Sequence, residues 1–200
     1  MTISIKSEIE KISSVIIQKP GMDHDKMHPK DIEEYLENGD PNPNYLLFDD
    51  LIDTNLAVKE HNEFANIIKK ITGEGYKRSS PSNLQGCIYL GDLMDDIVTN
   101  GDLEIEDFLN EYQLPLPNLI FTRDIAVTIG EKIISTWASK KVRNFENRIM
   151  QKVLDNHDLF RDTEIIHFNE IASGISLEGG DVTIFNDDLV IIGLGERTNH

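Results

Sequence analysis

The sequence predicts a mixed α/β fold, and three observations lead to that class. Short apolar and β-branched runs of strand length recur along the 200 residues, and segments with helical spacing of apolar residues alternate with them. Some neighbouring runs are separated only by a tight turn, which is typical of hairpins. Strands that alternate with helices and hairpins form mixed α/β architectures, and an apolar share of 39% is ordinary for a globular domain with a core.

The first third of the chain predicts one strand, a long loop and one helix. The β-branched run from Ser14 to Gln18 is a strand that ends at the turn residues Lys19-Pro20-Gly21. The segment from Met22 to Pro43 is polar and contains three prolines, so it is predicted to be mostly loop. A helix follows between Asp53, its expected N-cap, and Gly73, its expected C-cap glycine.

The middle of the chain predicts a strand from Cys87 to Leu90 and then two short amphipathic helices, Asp92 to Val98 and Glu104 to Tyr112. The Pro-x-Pro stretch from Leu114 to Pro117 prevents the second helix from continuing. Beyond it one helix is predicted across Val142 to Val153. The predicted strands of this last part are Leu119 to Phe121, Ile125 to Ile129, Lys132 to Trp137, Glu164 to Phe168, Val182 to Phe185 and Leu189 to Ile192.

Composition narrows the classes of partner. A net charge of −17 argues against non-specific binding to nucleic acid or to an anionic membrane and favours a cationic ligand. No apolar run has the length of a membrane helix, and the first residues lack the apolar segment of a signal peptide. The single cysteine excludes a disulfide framework within the chain, so a reduced, cytoplasmic setting is expected. The histidines and acids show no metal-ligand spacing, and neither a metal nor another cofactor is predicted.

Three polar clusters, each attached to a short apolar run, carry the functional information. They are Asn118 to Asp124, Glu178 to Asp181, and Gly195 to Thr198. Carboxylates bind a guanidinium bidentately, and arginines bind an α-carboxylate in the same way. The clusters together therefore suit a small zwitterion with a planar cationic head.

Each cluster taken alone also has a plain structural interpretation. Arg123 and Asp124 are compatible with an ordinary strand-end salt bridge, and Arg197 with a solvated strand end. The pair Gly179-Gly180 is compatible with a common turn; its glycines also permit positive φ and a close approach to a neighbour or ligand.

The order and wording of the clusters resemble arginine deiminase, within the guanidine-modifying (amidinotransferase-like) superfamily. The resemblance implies part of a five-bladed α/β propeller (pentein fold), as an incomplete ring with the active site on its axis. Residues 1–200 would then be the N-terminal portion of a catalytic domain, with a short helical insertion at about 91–113. The family usually has serine where this chain has Gly195.

The resemblance also implies roles for individual residues. Asp124 and Glu178 would be catalytic, because they orient and neutralise the guanidinium of L-arginine while it becomes L-citrulline and ammonia. The implied substrate-binding residues are Leu46, Asn118, Phe121, Arg123, Arg143, Asp181 and Arg197. Two of them keep an alternative: Arg143 as a solvated helix residue paired with Glu146, and the Leu46 to Asp50 loop as a helix cap.

The family's His-x-Asp segment and nucleophilic cysteine are expected further along a chain than His200, so this chain alone is expected to be catalytically silent. Cys87 and His167 are expected to be structural, since one lies in an apolar run and the other lacks the family's wording. The expected partners are L-arginine and either a second copy or a completing chain, without nucleic acid or membrane. The alternatives are a non-catalytic half-length protein that binds arginine-like ligands or a partner chain, or an amidinotransferase-type member.

Overall fold

The computed structural model describes residues 3–73, 86–100, 103–110 and 115–199. The strands within these ranges are β1 (Ser14–Ile17), β2 (Gly86–Tyr89), β3 (Ala126–Ile129), β4 (Lys132–Ser135), β5 (Glu164–His167), β6 (Val182–Asn186) and β7 (Leu189–Ile192). The α-helices are α1 (Met22–Asp25), α2 (Thr54–Thr72), α3 (Leu90–Thr99), α4 (Leu103–Asn110), α5 (Thr122–Ile125), α6 (Asn144–Asn156) and α7 (Phe168–Ile171). Single 3-10 turns occur at Pro29–Ile32, Pro117–Ile120, Lys141–Arg143, Asp158–Phe160 and Gly179–Asp181.

The described strands form three small sheets. Strands β1 and β2 pair in parallel, with Ser14 opposite Gly86. Strand β4 lies between an antiparallel β3 and a parallel β5. Strands β6 and β7 form an antiparallel hairpin with a register irregularity between Ile184 and Asn186. The predicted mixed α/β class is therefore confirmed, with several small sheets instead of one continuous sheet.

The largest core cluster lies between α6, α3 and the β3-β4-β5 sheet. Helix α6 follows the 3.6-residue period, so its apolar side chains share one face that packs inward. Its buried members include Phe145, Ile149, Met150, Val153 and Leu154, packed with Leu93, Ile97, Ile125 and Ile133. This core fixes α5 and the start of α6, the two elements that present candidate site residues.

Helix α2 confirms both predicted caps. The Asp53 carboxylate accepts a hydrogen bond from the Leu56 amide at 3.0 Å, which satisfies one of the free amides of the first turn. Gly73 ends the helix with φ of 92°, a conformation that favours glycine. The helix buries Ala65 and Ile68 against the β1-β2 sheet.

The strand predicted at Leu119 to Phe121 is wrong. Pro117–Ile120 forms a 3-10 turn and α5 follows directly, so two short turns replace the strand. Pro117 at the first position favours the turn because it fixes φ and has no amide to leave unpaired. The Thr122 hydroxyl donates to the Ile16 carbonyl at 2.8 Å and holds α5 against β1. Three adjacent apolar residues carry no period, which is why the sequence alone favoured a strand.

The helices of the middle segment confirm the prediction with shifted ends. Helix α3 begins at Leu90, directly after β2, and α4 ends at Asn110 within the described ranges. Residues 101–102 and 111–114 of the predicted insertion, including Tyr112, lie outside the described residues. Among the described residues, no helix combines the length and apolarity needed to span a bilayer.

Candidate active site

Two carboxylates and two guanidinium groups from distant parts of the sequence form one cluster. Arg197 Nη2 lies 2.6 Å from Glu178 Oε2 and 3.2 Å from Asp124 Oδ1. Its Nε also donates to Glu178 Oε2 at 2.7 Å. Arg143 Nη1 donates to Asp124 Oδ2 at 2.9 Å and to Glu178 Oε2 at 3.4 Å. The structure thus brings together members of all three polar clusters and Arg143.

The close approach of α5 to the Gly179–Asp181 turn brings Asp124 and Glu178 together. A Cβ added to Gly179 would lie 2.1 Å from the Arg123 carbonyl oxygen, and one added to Gly180 would lie 2.5 Å from Asp124 Oδ1. Only glycine leaves room for this contact. The close approach that the glycines permit is present, whereas neither glycine adopts a positive φ.

Arg143 is the buried centre of the cluster. It precedes α6 in the Lys141–Arg143 turn, and its side chain is only 4% exposed. Its Nε donates to Glu146 Oε2 at 2.9 Å, so it contacts three carboxylates. Glu146 is therefore present as a partner, whereas the alternative of a solvated arginine is wrong.

The loop that carries Arg197 is attached to the Gly179–Asp181 turn. The Thr198 hydroxyl donates to Asp181 Oδ2 at 2.6 Å and accepts from the Glu178 amide at 3.1 Å. The Gly193 amide donates to the Asp181 carbonyl at 2.9 Å. Thr198 is buried, so the backbone beside Arg197 is fixed although the arginine side chain is half exposed.

Asn118 and Leu46 form one wall beside the cluster. Asn118 is buried, and its side-chain amide donates to the Leu46 backbone carbonyl at 2.6 Å. The backbone carbonyl of Asn118 accepts from Arg143 Nη2 at 3.4 Å. The Leu46 side chain is also buried. Phe121 is exposed and its ring lies 6.2 Å from that of Phe48, in the loop after Leu46. The structure thus places the loop that follows Leu46 beside the site wall.

Arg123 does not join the cluster. Its Nε donates to the Gly179 carbonyl at 2.9 Å, and its Nη2 donates to the Val182 carbonyl at 2.7 Å and to Glu8 Oε1 at 2.6 Å. These contacts direct the guanidinium toward the N-terminal segment. In this structure Arg123 ties the glycine turn to the rest of the fold, next to Asp124 but pointing away from it.

Burial controls the protonation of the acids. Burial raises the pKa of Glu178, against the opposing effect of Arg143 and Arg197. Burial also raises the pKa of Glu146 to about 7, because the attraction of Arg143 is weaker than the cost of desolvation, and Asp124 and Glu178 add negative charge. The neighbouring carboxylates raise the pKa of Arg143 although burial opposes them. Burial therefore keeps the proton on Glu146 and Glu178 to a higher pH than on an ordinary glutamate.

Cys87 and His167 lie in other parts of the fold. Cys87 is buried in β2, and burial raises the pKa of its thiol despite the nearby positive charge of Lys69. His167 Nδ1 is 2.7 Å from Ser135 Oγ, and its Nε2 is 3.0 Å from Asp155 Oδ1. This serine, histidine and aspartate resemble a nucleophile arrangement, but Ser135 is completely buried between β3 and β5. The set therefore holds the strand in place.

Glu146 and Thr198 belong to the cluster but were not among the predicted site residues. Glu146 lies one helical turn after Arg143, and that spacing already indicates an ion pair. Its burial depends on how α6 packs, which local spacing does not reveal. Thr198 gave no signal beyond its place in the third polar cluster.

Comparisons with known proteins identify relatives of this chain. Curated arginine deiminases of Metamycoplasma arthritidis and Listeria monocytogenes (strain CLIP80459) are 28% and 26% identical over 98% of this chain. The chain covers 55% and 56% of those proteins, so it spans about half the length of the curated relatives it matches.

A solved structure of dimethylarginine dimethylaminohydrolase matches 92% of this chain and 50% of its own chain, with 15% identity and a TM-score of 0.50. This likeness concerns the fold, and it supports the predicted pentein type. The family model described as arginine deiminase matches residues 98–200, which include all three polar clusters and Arg143. Because that match covers more than half of the sequence, the chain belongs to the arginine deiminase family.

Proposed function

We propose that this chain supplies the guanidinium- and carboxylate-binding part of an arginine deiminase site, in which L-arginine and water give L-citrulline and ammonia. One observation carries the proposal: Asp124 and Glu178 already share a single guanidinium, that of Arg197. Two carboxylates spaced to hold one guanidinium are what such a substrate requires. Family membership supports the same substrate class.

The proposed chemistry begins with attack of a cysteine thiolate on the guanidinium carbon. A C–S bond forms, a C–N bond breaks, and ammonia leaves. Water then cleaves the C–S bond of the thiouronium intermediate, which releases L-citrulline and returns the thiol. Asp124 and Glu178 orient the guanidinium and balance its charge, which lowers the barrier through positioning and electrostatics. The raised pKa of Glu178 suits it to pass a proton during these steps.

The thiolate and the histidine acid and base are proposed to come from polypeptide other than residues 1–200. Cys87 is a poor candidate because it lies in the β1-β2 core with Ile17, Ala65 and Ile68, and its thiol is kept protonated by burial. A completing chain in the cytoplasm is the proposed source, because a second copy would bring only another buried Cys87.

Arg143 and Arg197 are the proposed contacts for the substrate's α-carboxylate. Arg197 is the more accessible of the two, since 53% of its side chain is exposed against 4% for Arg143. Asn118 and the Leu46 carbonyl are proposed to face the substrate's amino end, with Asp181 acting through Thr198.

Calorimetric titration with L-arginine and an ammonia assay test the proposal together. We expect binding without ammonia release above background, and loss of binding by about tenfold or more in Glu178→Gln, since a charged hydrogen bond is removed. Glu131→Gln, in the exposed β3-β4 turn, is the matched control and is expected to bind normally. Equal binding by both variants would contradict the proposal.

A second candidate is a protein that binds arginine-like ligands without catalysis. The burial of Cys87, the only cysteine of the sequence, favours it for this chain alone. Adding polypeptide that carries the His-x-Asp segment and the cysteine discriminates the two, because only the first candidate then releases ammonia. If the 200-residue chain released ammonia from L-arginine and Cys87→Ser abolished that activity, both candidates would be wrong, because each treats Cys87 as non-catalytic.

A further inference from the structure

The guanidinium of Arg197 lies where a substrate guanidinium is proposed to bind. It spans Asp124 Oδ1 at 3.2 Å and Glu178 Oε2 at 2.6 Å. We infer that Arg197 is a resident guanidinium that must leave before a ligand enters, and that its departure makes the site select guanidines that carry a carboxylate. This inference rests on the proposed function and adds the basis of substrate selection.

The two arginines of the cluster differ in freedom. Arg143 is 4% exposed and is held by three carboxylates from different elements, including Glu146 of the following helix α6. Arg197 is 53% exposed and contacts only the two acids assigned to the substrate among its described ion pairs. Buried groups held by several partners are costly to move, whereas a half-exposed side chain exchanges partners with water at low cost. Arg197 is therefore the member that yields.

The neighbouring backbone allows this exchange without movement of the loop. Thr198 is buried and anchored to Asp181, so the main chain beside Arg197 remains in place. Open space surrounds the Cα of Gly195, two residues earlier, because an added Cβ would meet nothing within 4 Å. A rotation of the Arg197 side chain releases Asp124 Oδ1 and one of the contacts of Glu178 Oε2, while Arg143 keeps its own contacts with both acids.

The exchange replaces one guanidinium with another of the same charge. The acids keep their charge balance, but Arg197 loses its partners and must find a new one. A ligand with an α-carboxylate offers Arg197 that partner, whereas a guanidine without a carboxylate leaves it in water. The free-energy cost of displacing Arg197 is therefore compensated only for a ligand with a carboxylate. A guanidine without one bears the full cost and binds more weakly.

Calorimetry with L-arginine and with agmatine, which lacks the carboxylate, measures this selection. In Arg197→Ala we expect agmatine to bind about fivefold more tightly, because its competitor is gone. L-Arginine is expected to bind no more tightly than before, since it loses its carboxylate contact. The preference for L-arginine over agmatine then falls by about fivefold or more. Arg197→Lys keeps the charge but cannot span both acids. Its preference for L-arginine over agmatine is expected to lie between that of the unaltered chain and that of Arg197→Ala.

Two further variants separate the possible failures. Arg161→Ala, an exposed arginine paired with Asp158, is the matched control and is expected to preserve both affinities. If Glu178→Gln loses both ligands while Arg197→Ala leaves agmatine binding unchanged or weaker, the resident role of Arg197 is wrong and the proposed function stands. If Glu178→Gln loses neither ligand, or the unaltered chain does not bind L-arginine, the proposed function fails and this inference fails with it.

Discussion

Glu146 is a buried acid of the cluster, and its burial changes its pKa. Its carboxyl group is nearly inaccessible to solvent and faces Arg143, with Asp124 and Glu178 nearby. Its pKa rises from 4.5 to about 7 because burial outweighs the attraction of Arg143. At neutral pH both the neutral and the charged form of Glu146 are therefore populated.

Replacement of Glu146 by glutamine is expected to flatten the pH dependence of stability. A carboxyl group with a raised pKa stabilises the fold fully below pH 4.5, and this contribution is lost as pH rises through about 7. The loss amounts to a few kcal/mol, at roughly 1.4 kcal/mol for each pKa unit. Urea unfolding of both proteins between pH 4.5 and 8 measures the difference.

The difference between the two proteins isolates this residue. Burial lowers the pKa of His24, His61 and His157, and those groups act in the opposite direction in both proteins. Glu178 also has a raised pKa, so the free energy of unfolding of the variant still decreases as pH rises, but by less than that of the unaltered chain. Parallel stability curves for Glu146→Gln and the unaltered chain would show that Glu146 is fully ionised in the fold.

At the scale of elements, the contact between α5 and the Gly179–Asp181 turn determines whether the site exists. The two elements approach so closely that the Arg123 carbonyl occupies the place of a side chain at position 179. Arg123 then fastens the turn through the Gly179 and Val182 carbonyls. Two motifs that are remote in sequence thus form one rigid unit.

Gly179→Ala is expected to destabilise the fold by about 2–3 kcal/mol and to abolish arginine binding, since α5 must move to admit a methyl group. Gly195→Ala is the matched control because open space surrounds that position; its cost is expected to stay within about 0.5 kcal/mol. Thermal unfolding and calorimetry provide the two readouts. Equal stability of the two variants would contradict the close contact.

The sequence reveals elements whose determinants are local. The caps of α2 and the β6-β7 hairpin follow from residues only a few positions apart, and both are present. The segment Leu119 to Phe121 was mistaken for a strand because its turns depend on a distant contact, that of Thr122 with Ile16. The direction of Arg123 likewise depends on the Gly179 and Val182 carbonyls. Long-range packing of this kind leaves no mark in local spacing.

At the scale of the molecule, the β6-β7 hairpin presents an exposed apolar surface. Val182 and Ile184 face the core, whereas Phe185 and Ile191 lie on the outer side and are more than half exposed. Apolar side chains on an open two-stranded sheet favour association with another surface.

We expect the purified chain to self-associate through this hairpin, with association increasing in salt that screens the charge of −17. Phe185→Glu combined with Ile191→Glu is expected to give a monomer of unchanged stability, because both side chains are exposed. Asn55→Glu combined with Ser173→Glu, at two exposed polar positions outside the hairpin, controls for the two added charges. Sedimentation velocity over a range of concentrations measures the result, and a monomer at every concentration would contradict the expectation.

The contact between the two ends of the described chain has a kinetic consequence. The Glu8 amide donates to the Ile184 carbonyl at 3.0 Å, and the Ile184 amide donates to Glu8 Oε1 across a separation of 176 residues. Hairpins and helices close within microseconds, but contacts this distant require a large loop to close and therefore form late. Glu8 Oε1 also accepts from Arg123 Nη2, next to Asp124, so this contact lies beside the cluster of Asp124, Glu178 and Arg197. During refolding, helical circular dichroism should thus recover before arginine binding, and the interval between the two signals is the time that the chain takes to join its ends.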